Sequence, residues 1–203
     1  LLWKLNRKKY KDVYVTLEQL KVKANYANKI NIYVDYFDKS YSGTALSKST
    51  ILLSRKLVKL YDDEQETPLK SILALKFAHL INGDSIKQMK SDRKHDIHTV
   101  RLINIIKEIR AEIVGANLIG FLPNEINEAQ NILMEKNGGT KNIKVAYEAR
   151  YPTRIQIKYF AKRYSNLTKN VIYYFISSYF RHMDIKDKTR QEEIKVKVEA
   201  RFL

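Results

Sequence analysis

Two long segments in the middle of the chain carry apolar side chains at helical spacing. In residues 68–82 these are Leu69, Ile72, Leu73, Phe77 and Leu80, with Lys76 on the same register. In residues 98–119 they are Val100, Ile103, Ile106, Ile109, Ile113 and Ala116. Recurrence at three and four residues predicts two amphipathic helices whose stripes belong in a core. Thr67 and Pro68 read as the N-cap and first position of the first helix. The acidic run 62–66 before it favours the helix's positive end, and Asn82-Gly83 stops it.

Around this pair the sequence predicts a mostly helical α+β fold. Residues 12–24 place Val13, Leu17, Leu20 and Ala24 on one helical side. Residues 30–37 alternate Ile30, Ile32 and Val34 with polar partners, as a half-buried strand does. Residues 40–43 read as a turn, 49–54 as a second strand and 55–61 as a short helix. Further helices are expected near 124–136, 152–164, 168–180 and from 188. The expected organisation is a basic helical flank over 1–29, a core over 30–140 and a basic helical extension over 141–203.

Composition excludes several function classes. The 203 residues contain no cysteine, which removes disulfide scaffolds, thiolate zinc fingers and thiol nucleophiles. No run approaches the roughly 18 apolar residues of a membrane-spanning helix, and 171–180 is the nearest. The first residues are not patterned as a secretion signal, so a cytoplasmic setting is expected. There is no P-loop, dinucleotide-binding glycine turn or serine-histidine-aspartate ordering.

The formal net charge is +16, from 38 Lys and Arg against 22 Asp and Glu. Residues 1–30 carry +6, residues 31–140 carry +1 and residues 141–203 carry +9. A nearly neutral middle thus lies between basic ends. The excess points to an acidic partner or nucleic acid. In the C-terminal part Lys158, Tyr159, Phe160, Lys162, Arg163 and Tyr164 interleave rings and cations, which suits stacking and phosphate contacts. Their helical spacing suits a core stripe with basic residues outside equally well.

The two striped helices are where chemistry is expected. The first reads Leu75-Lys76-Phe77-Ala78-His79 and the second Glu108-Ile109-Arg110-Ala111-Glu112 followed by Gly115. With the strand at 51–54, Ser54-Arg55-Lys56-Leu57, the acidic run 62–66 and Tyr151-Pro152, this order resembles the HtpX-like and CaaX-prenyl-protease-type zinc metallopeptidases over roughly residues 30–160. The resemblance implies a zincin-like (gluzincin) core with a His-Glu-x-x-His helix. His79 would match the second zinc-binding His, Glu108 the third ligand and Glu112 the second acidic residue of its helix. Leu75 stands in place of the first His, Lys76 in place of the general-base Glu, and Tyr151 in place of a His before Pro.

These replacements have chemical consequences. Leucine cannot ligate a metal, and lysine is no base at neutral pH unless strongly desolvated. His79 and Glu108 fall short of the three protein ligands of a catalytic zinc site. Hydrolysis by the family's mechanism is expected to be absent, with no cofactor as written and zinc only in an intact relative. Loss of both essential positions fits a naturally inactivated copy and an altered one alike. An ordinary buried histidine is an equal reading of His79, and a solvated face alternating with Lys107 and Arg110 is one of Glu108 and Glu112. Asp92, His95, Asp96 and His98 form a second polar cluster that would rebuild a metal site only if it reached His79. The sequence therefore supports a disabled metallopeptidase fold that binds peptide or protein. The alternatives are a basic nucleic-acid-binding module, and a zinc protease whose native form carries His and Glu at 75 and 76.

Overall fold

The computed structural model describes residues 2–84, 95–138 and 140–203. It is an α+β fold, mostly helical, with one small mixed sheet. The strands are β1 (Leu2–Lys4), β2 (Asn31–Asp35), β3 (Gly43–Ser47) and β4 (Thr50–Ser54), in spatial order β1-β2-β4-β3. β2 and β4 run parallel, while β1 and β3 pair antiparallel at the two edges. Alternation puts Ile32 and Val34 of β2 on the buried face beside Ile51 and Leu53 of β4.

The helices are α1 (Lys11–Lys23), α2 (Arg55–Asp62), α3 (Glu66–Ile81), α4 (Ile97–Ile119), α5 (Pro123–Asn137), α6 (Ile143–Glu148), α7 (Arg154–Ala161), α8 (Lys169–His182) and α9 (Lys188–Phe202). The local signals explain most starts. The Ser54 hydroxyl caps α2 by accepting from Leu57 N–H. Thr153 and Gln156 form a reciprocal capping box on α7. The Asp96 carboxylate accepts from the amides of His98 and Thr99 and from the Thr99 hydroxyl, starting α4. One start differs. α3 begins at Glu66 with Gln65 as N-cap, so Thr67 lies inside the first turn and its hydroxyl is buried without a hydrogen bond.

Three elements had no clear sequence signal. β1 is three exposed residues, β3 buries only Ala45, and α6 spans six residues. The turn expected over 40–43 ends as Gly43 opens β3.

Two apolar clusters share α4. In the first, Val13, Leu17 and Leu20 of α1 join the sheet, α3, Ala111 of α4 and Leu133 of α5. In the second, Leu102, Ile106, Ile109 and Ile113 of α4 meet Tyr147, Phe160, Phe175 and Tyr179, with Ile194 and Val198 of α9. Two glycines set close approaches. A Cβ on Gly115 would lie 2.9 Å from the Ala74 carbonyl group, so α3 and α4 touch backbone to backbone there. A Cβ on Gly43 would lie 2.8 Å from Leu52 O and 2.9 Å from Ile72 Cγ2, so the edge strand β3 rests on α3. Among the described residues, no helix is long and apolar enough to cross a membrane.

Candidate functional site

Backbone contact at Gly115 brings the polar positions of α3 and α4 face to face. A cleft opens there between the helix pair, β3 and the segment after α6. It consists of two adjoining cavities of about 370 and 360 Å³. Both are bordered by Gly43, Thr44, Lys76, Glu108 and Tyr151. His79 and Asp84 lie at one end, and Leu75, Glu112 and Arg154 at the other.

His79 is buried between two carboxylates. Its Nε2 lies 3.3 Å from Glu108 Oε1 and its Nδ1 lies 3.8 Å from Asp84 Oδ2. Among the described residues neither nitrogen meets a hydrogen-bond partner in good geometry. Burial favours the neutral ring, but the Glu108 charge and Asp84 outweigh it and raise the His79 pKa. The ring therefore holds its proton to a higher pH than a free imidazole does. Glu108 is also desolvated, yet Lys76 and His79 hold its carboxyl well below the usual carboxylate range. Glu112, one turn on, shifts the other way. Its burial and the Glu108 charge push its pKa up against the pull of Arg154. Gln130 Nε2 donates to Glu112 Oε2 at 3.3 Å, and Arg154 lies 3.9 Å from Oε1 while donating to Gln130 Oε1 at 2.7 Å.

Asp84, with a side chain 1% exposed, anchors the other end. Arg110 Nη2 donates to its Oδ2 at 2.6 Å. Lys107 Nζ lies 3.7 Å and Arg201 Nη2 3.8 Å from Oδ1. The same Arg110 guanidinium lies over the Phe202 ring at 5.3 Å, so the end of α9 closes on this cluster.

The structure therefore brings Leu75, Lys76, His79, Glu108 and Glu112 to one cleft, with Tyr151 beside them. The Tyr151 hydroxyl has a raised pKa, chiefly from the Glu108 charge. Glu112 and Lys107 do not lie on a solvated face, because both are buried. The helical stripe hid Asp84, Lys107, Arg110, Gln130, Arg154 and Arg201. Asp84, Lys107 and Arg110 show in the sequence only as charge on or beside the apolar helix pair, and Gln130, Arg154 and Arg201 carry no such sign.

The residues present do not fit a catalytic zinc ion. His79 and Glu108 are two donors where three are needed. Asp84 faces the opposite nitrogen of His79, so it and Glu108 cannot share one ion with that ring. Among the described residues, no group of three or more His, Asp or Glu is placed to hold a metal. Asp92 lies outside the described residues. Asp96 is engaged in capping α4, with Lys197 3.4 Å away, and His98 Nδ1 lies 3.0 Å from the Tyr179 hydroxyl.

β3 gives the cleft an edge strand. Ser54 N–H donates to Ser42 O, so Ser42 faces β4. In an antiparallel ladder the next backbone groups on either side, at Tyr41 and Gly43, then point away from β4. The Asn137 side-chain amide already pairs with those of Tyr41. It accepts from Tyr41 N at 2.7 Å and donates to Tyr41 O at 2.9 Å, as a neighbouring strand would. Comparison with protein families, with curated proteins and with solved structures finds no match to this chain.

Proposed function

We propose that this is a metallopeptidase-fold protein, related to zinc endopeptidases through a zincin-like core, with a disabled zinc site, and that it works by binding an extended peptide or protein segment in the cleft. The observation that carries the binding reading is the outward-facing backbone of β3 along the cleft, paired at Tyr41 by the Asn137 amide and continuing to Gly43. An extended chain adds to such an edge through main-chain hydrogen bonds. The kinship is supported by the placement of Leu75, Lys76, His79, Glu108 and Tyr151 around one cleft, in the register the resemblance assigns. His79, with Asp84 behind one nitrogen and Glu108 before the other, has the surroundings of a ligand oriented by an outer carboxylate.

Binding is tested by fluorescence anisotropy with an extended, β-prone peptide and its twin N-methylated at alternate residues. The reading expects the methylated twin to lose binding; equal binding overturns it. Kinship is tested by the double variant Leu75→His with Lys76→Glu. On a helix, positions 75 and 79 share a face, so this variant is expected to take up zinc stoichiometrically by elemental analysis. No uptake by a folded double variant counts against the ancestry. The nucleic-acid reading has one observation in its favour: the Arg163 guanidinium lies 3.9 Å over the half-exposed Tyr159 ring on α7. Steep salt dependence of binding to single-stranded DNA would support it.

A further inference from the structure

Residues 149–183 contain seven Lys and Arg and no Asp or Glu. Protein surfaces ordinarily intersperse the two signs. Three of these cations, Lys158, Lys162 and Arg163, lie on α7 and just past its end, and among the described residues none of them makes an ion pair. Lys158 Nζ donates to Asn131 Oδ1 at 3.0 Å and Lys162 Nζ to Asn127 Oδ1 at 3.1 Å, both on α5. Lys162 keeps helical dihedrals as the C-cap, so the two lysines stand one turn apart on the same face. Each ammonium gives one of its three donors to a neutral amide, which orients it without cancelling its charge. Glu128, between the two asparagines in sequence, is exposed and makes no ion pair among the described residues.

The same surface carries rings. Tyr159 of α7 and Tyr174 of α8 are 48% and 44% exposed. Both meet the buried Phe160 ring edge-on, with centroids 5.0 and 4.9 Å away, so the core fixes their positions. The Arg163 guanidinium lies 3.9 Å over the Tyr159 ring, and its Nη1 donates to Tyr159 O at 3.3 Å. Ring and cation thus form one exposed pair. The patch ends at Tyr173, whose hydroxyl donates to Glu199 Oε1 of α9 at 2.7 Å.

We infer that this face of α7 and α8 binds a single strand of nucleic acid, with phosphates at Lys158, Lys162 and Arg163 and bases stacked at Tyr159 and Tyr174. Unpaired bases offer the flat faces that exposed rings and guanidinium planes take up, whereas a duplex keeps its bases stacked on one another. An acidic peptide would meet the cations but leave the rings unused. A membrane-surface helix needs a whole apolar face, and Ile155 is the one exposed aliphatic side chain of α7. None of Lys158, Tyr159, Lys162, Arg163 and Tyr174 borders the cleft, so the surface is separate from the peptide-binding reading and gives the nucleic-acid reading a defined place.

The test measures binding of fluorescein-labelled oligo(dT) and oligo(U), of about 16 nucleotides, to the full chain by anisotropy across a salt series. The two strands share this chemistry, and the tighter one identifies the sugar. Three phosphate contacts predict that the log of the association constant falls with log salt at a slope of about −2. An abasic strand with the same phosphates is expected to bind at least about fivefold more weakly than oligo(dT), and Tyr159→Ala to lose a similar factor. Tyr159→Phe is expected to keep wild-type affinity, and Lys162→Gln to make the slope shallower by about 0.7. The abasic comparison uses the wild-type chain, so an unstable variant does not remove the test. Equal binding of abasic and base-bearing strands overturns the inference. Oligo(dT) binding that Tyr159→Ala and Lys162→Gln both leave unchanged overturns this site and leaves nucleic-acid binding standing elsewhere on the chain. No binding of either strand overturns the nucleic-acid reading as well. Sedimentation with phosphatidylserine vesicles that oligo(dT) does not displace, and that Tyr159→Ala abolishes, overturns the inference in favour of a membrane surface.

Discussion

His79 shows how two neighbouring carboxylates set the proton affinity of one buried ring. With a carboxylate near each ring nitrogen, its proton supplies positive charge inside the pocket. Its pKa is raised in the folded state, so its stabilisation is complete below the unfolded value of about 6.5 and is lost as pH rises through the folded value. Unfolding free energy is therefore expected to decline between about pH 6.5 and the folded value, and His79→Gln should flatten this part of the curve in denaturant titrations. An unchanged slope would show that folding does not shift the His79 pKa. Lys76 bears on the same carboxylates. Replacing it with Met leaves Glu108 and Glu112 with less compensation, and the melting temperature should fall; an unchanged value would show that Lys76 does not neutralise them.

At the scale of elements, the α3–α4 contact sets the site's geometry. Gly115 lets the two backbones meet beside Leu75, which brings Lys76 and His79 of one helix to Glu108 of the other. Gly115→Ala gains helix propensity of about 1 kcal/mol, but its Cβ would sit 2.9 Å from backbone atoms that have no rotamer to change. Net destabilisation of about 1–3 kcal/mol is expected in urea unfolding. A stabilised variant would mean that the helices separate freely. The element boundaries themselves were largely legible. The 98–119 stripe marked α4, whereas the Asp96 and Ser54 caps of α4 and α2 show only in the structure. Thr67-Pro68 was a sound start signal, but the helix begins before it, at Glu66, which pairs with Lys70 one turn on.

For the whole molecule, Asp84 joins regions distant in sequence. It follows α3, pairs with Arg110 and Lys107 of α4, and meets Arg201 near the end of α9. Asp84→Asn removes the carboxylate that, among the described residues, pairs with all three of these cations. Destabilisation of about 3–5 kcal/mol is expected from breaking the buried pair that Asp84 makes with Arg110, measured by chemical denaturation. Loss of less than about 1 kcal/mol would mean that solvent already neutralises them.

The sequence by itself determined the helix pair and the central strands. Those depend on periodicity and caps, which are local and readable residue by residue. Only the tertiary structure decided that Lys107 and Glu112 are buried, that Asp84 gathers cations from α4 and α9, and that β3 lies along the cleft with Asn137 paired to Tyr41. The physical reason is range: a hydrophobic stripe repeats every turn, whereas a charge pair between residues 84 and 201 leaves no pattern in the intervening chain. The basic ends changed meaning for the same reason. Arg154 and Arg201 from the C-terminal part reach the carboxylates of the nearly neutral middle, so part of the +16 charge is spent inside the fold.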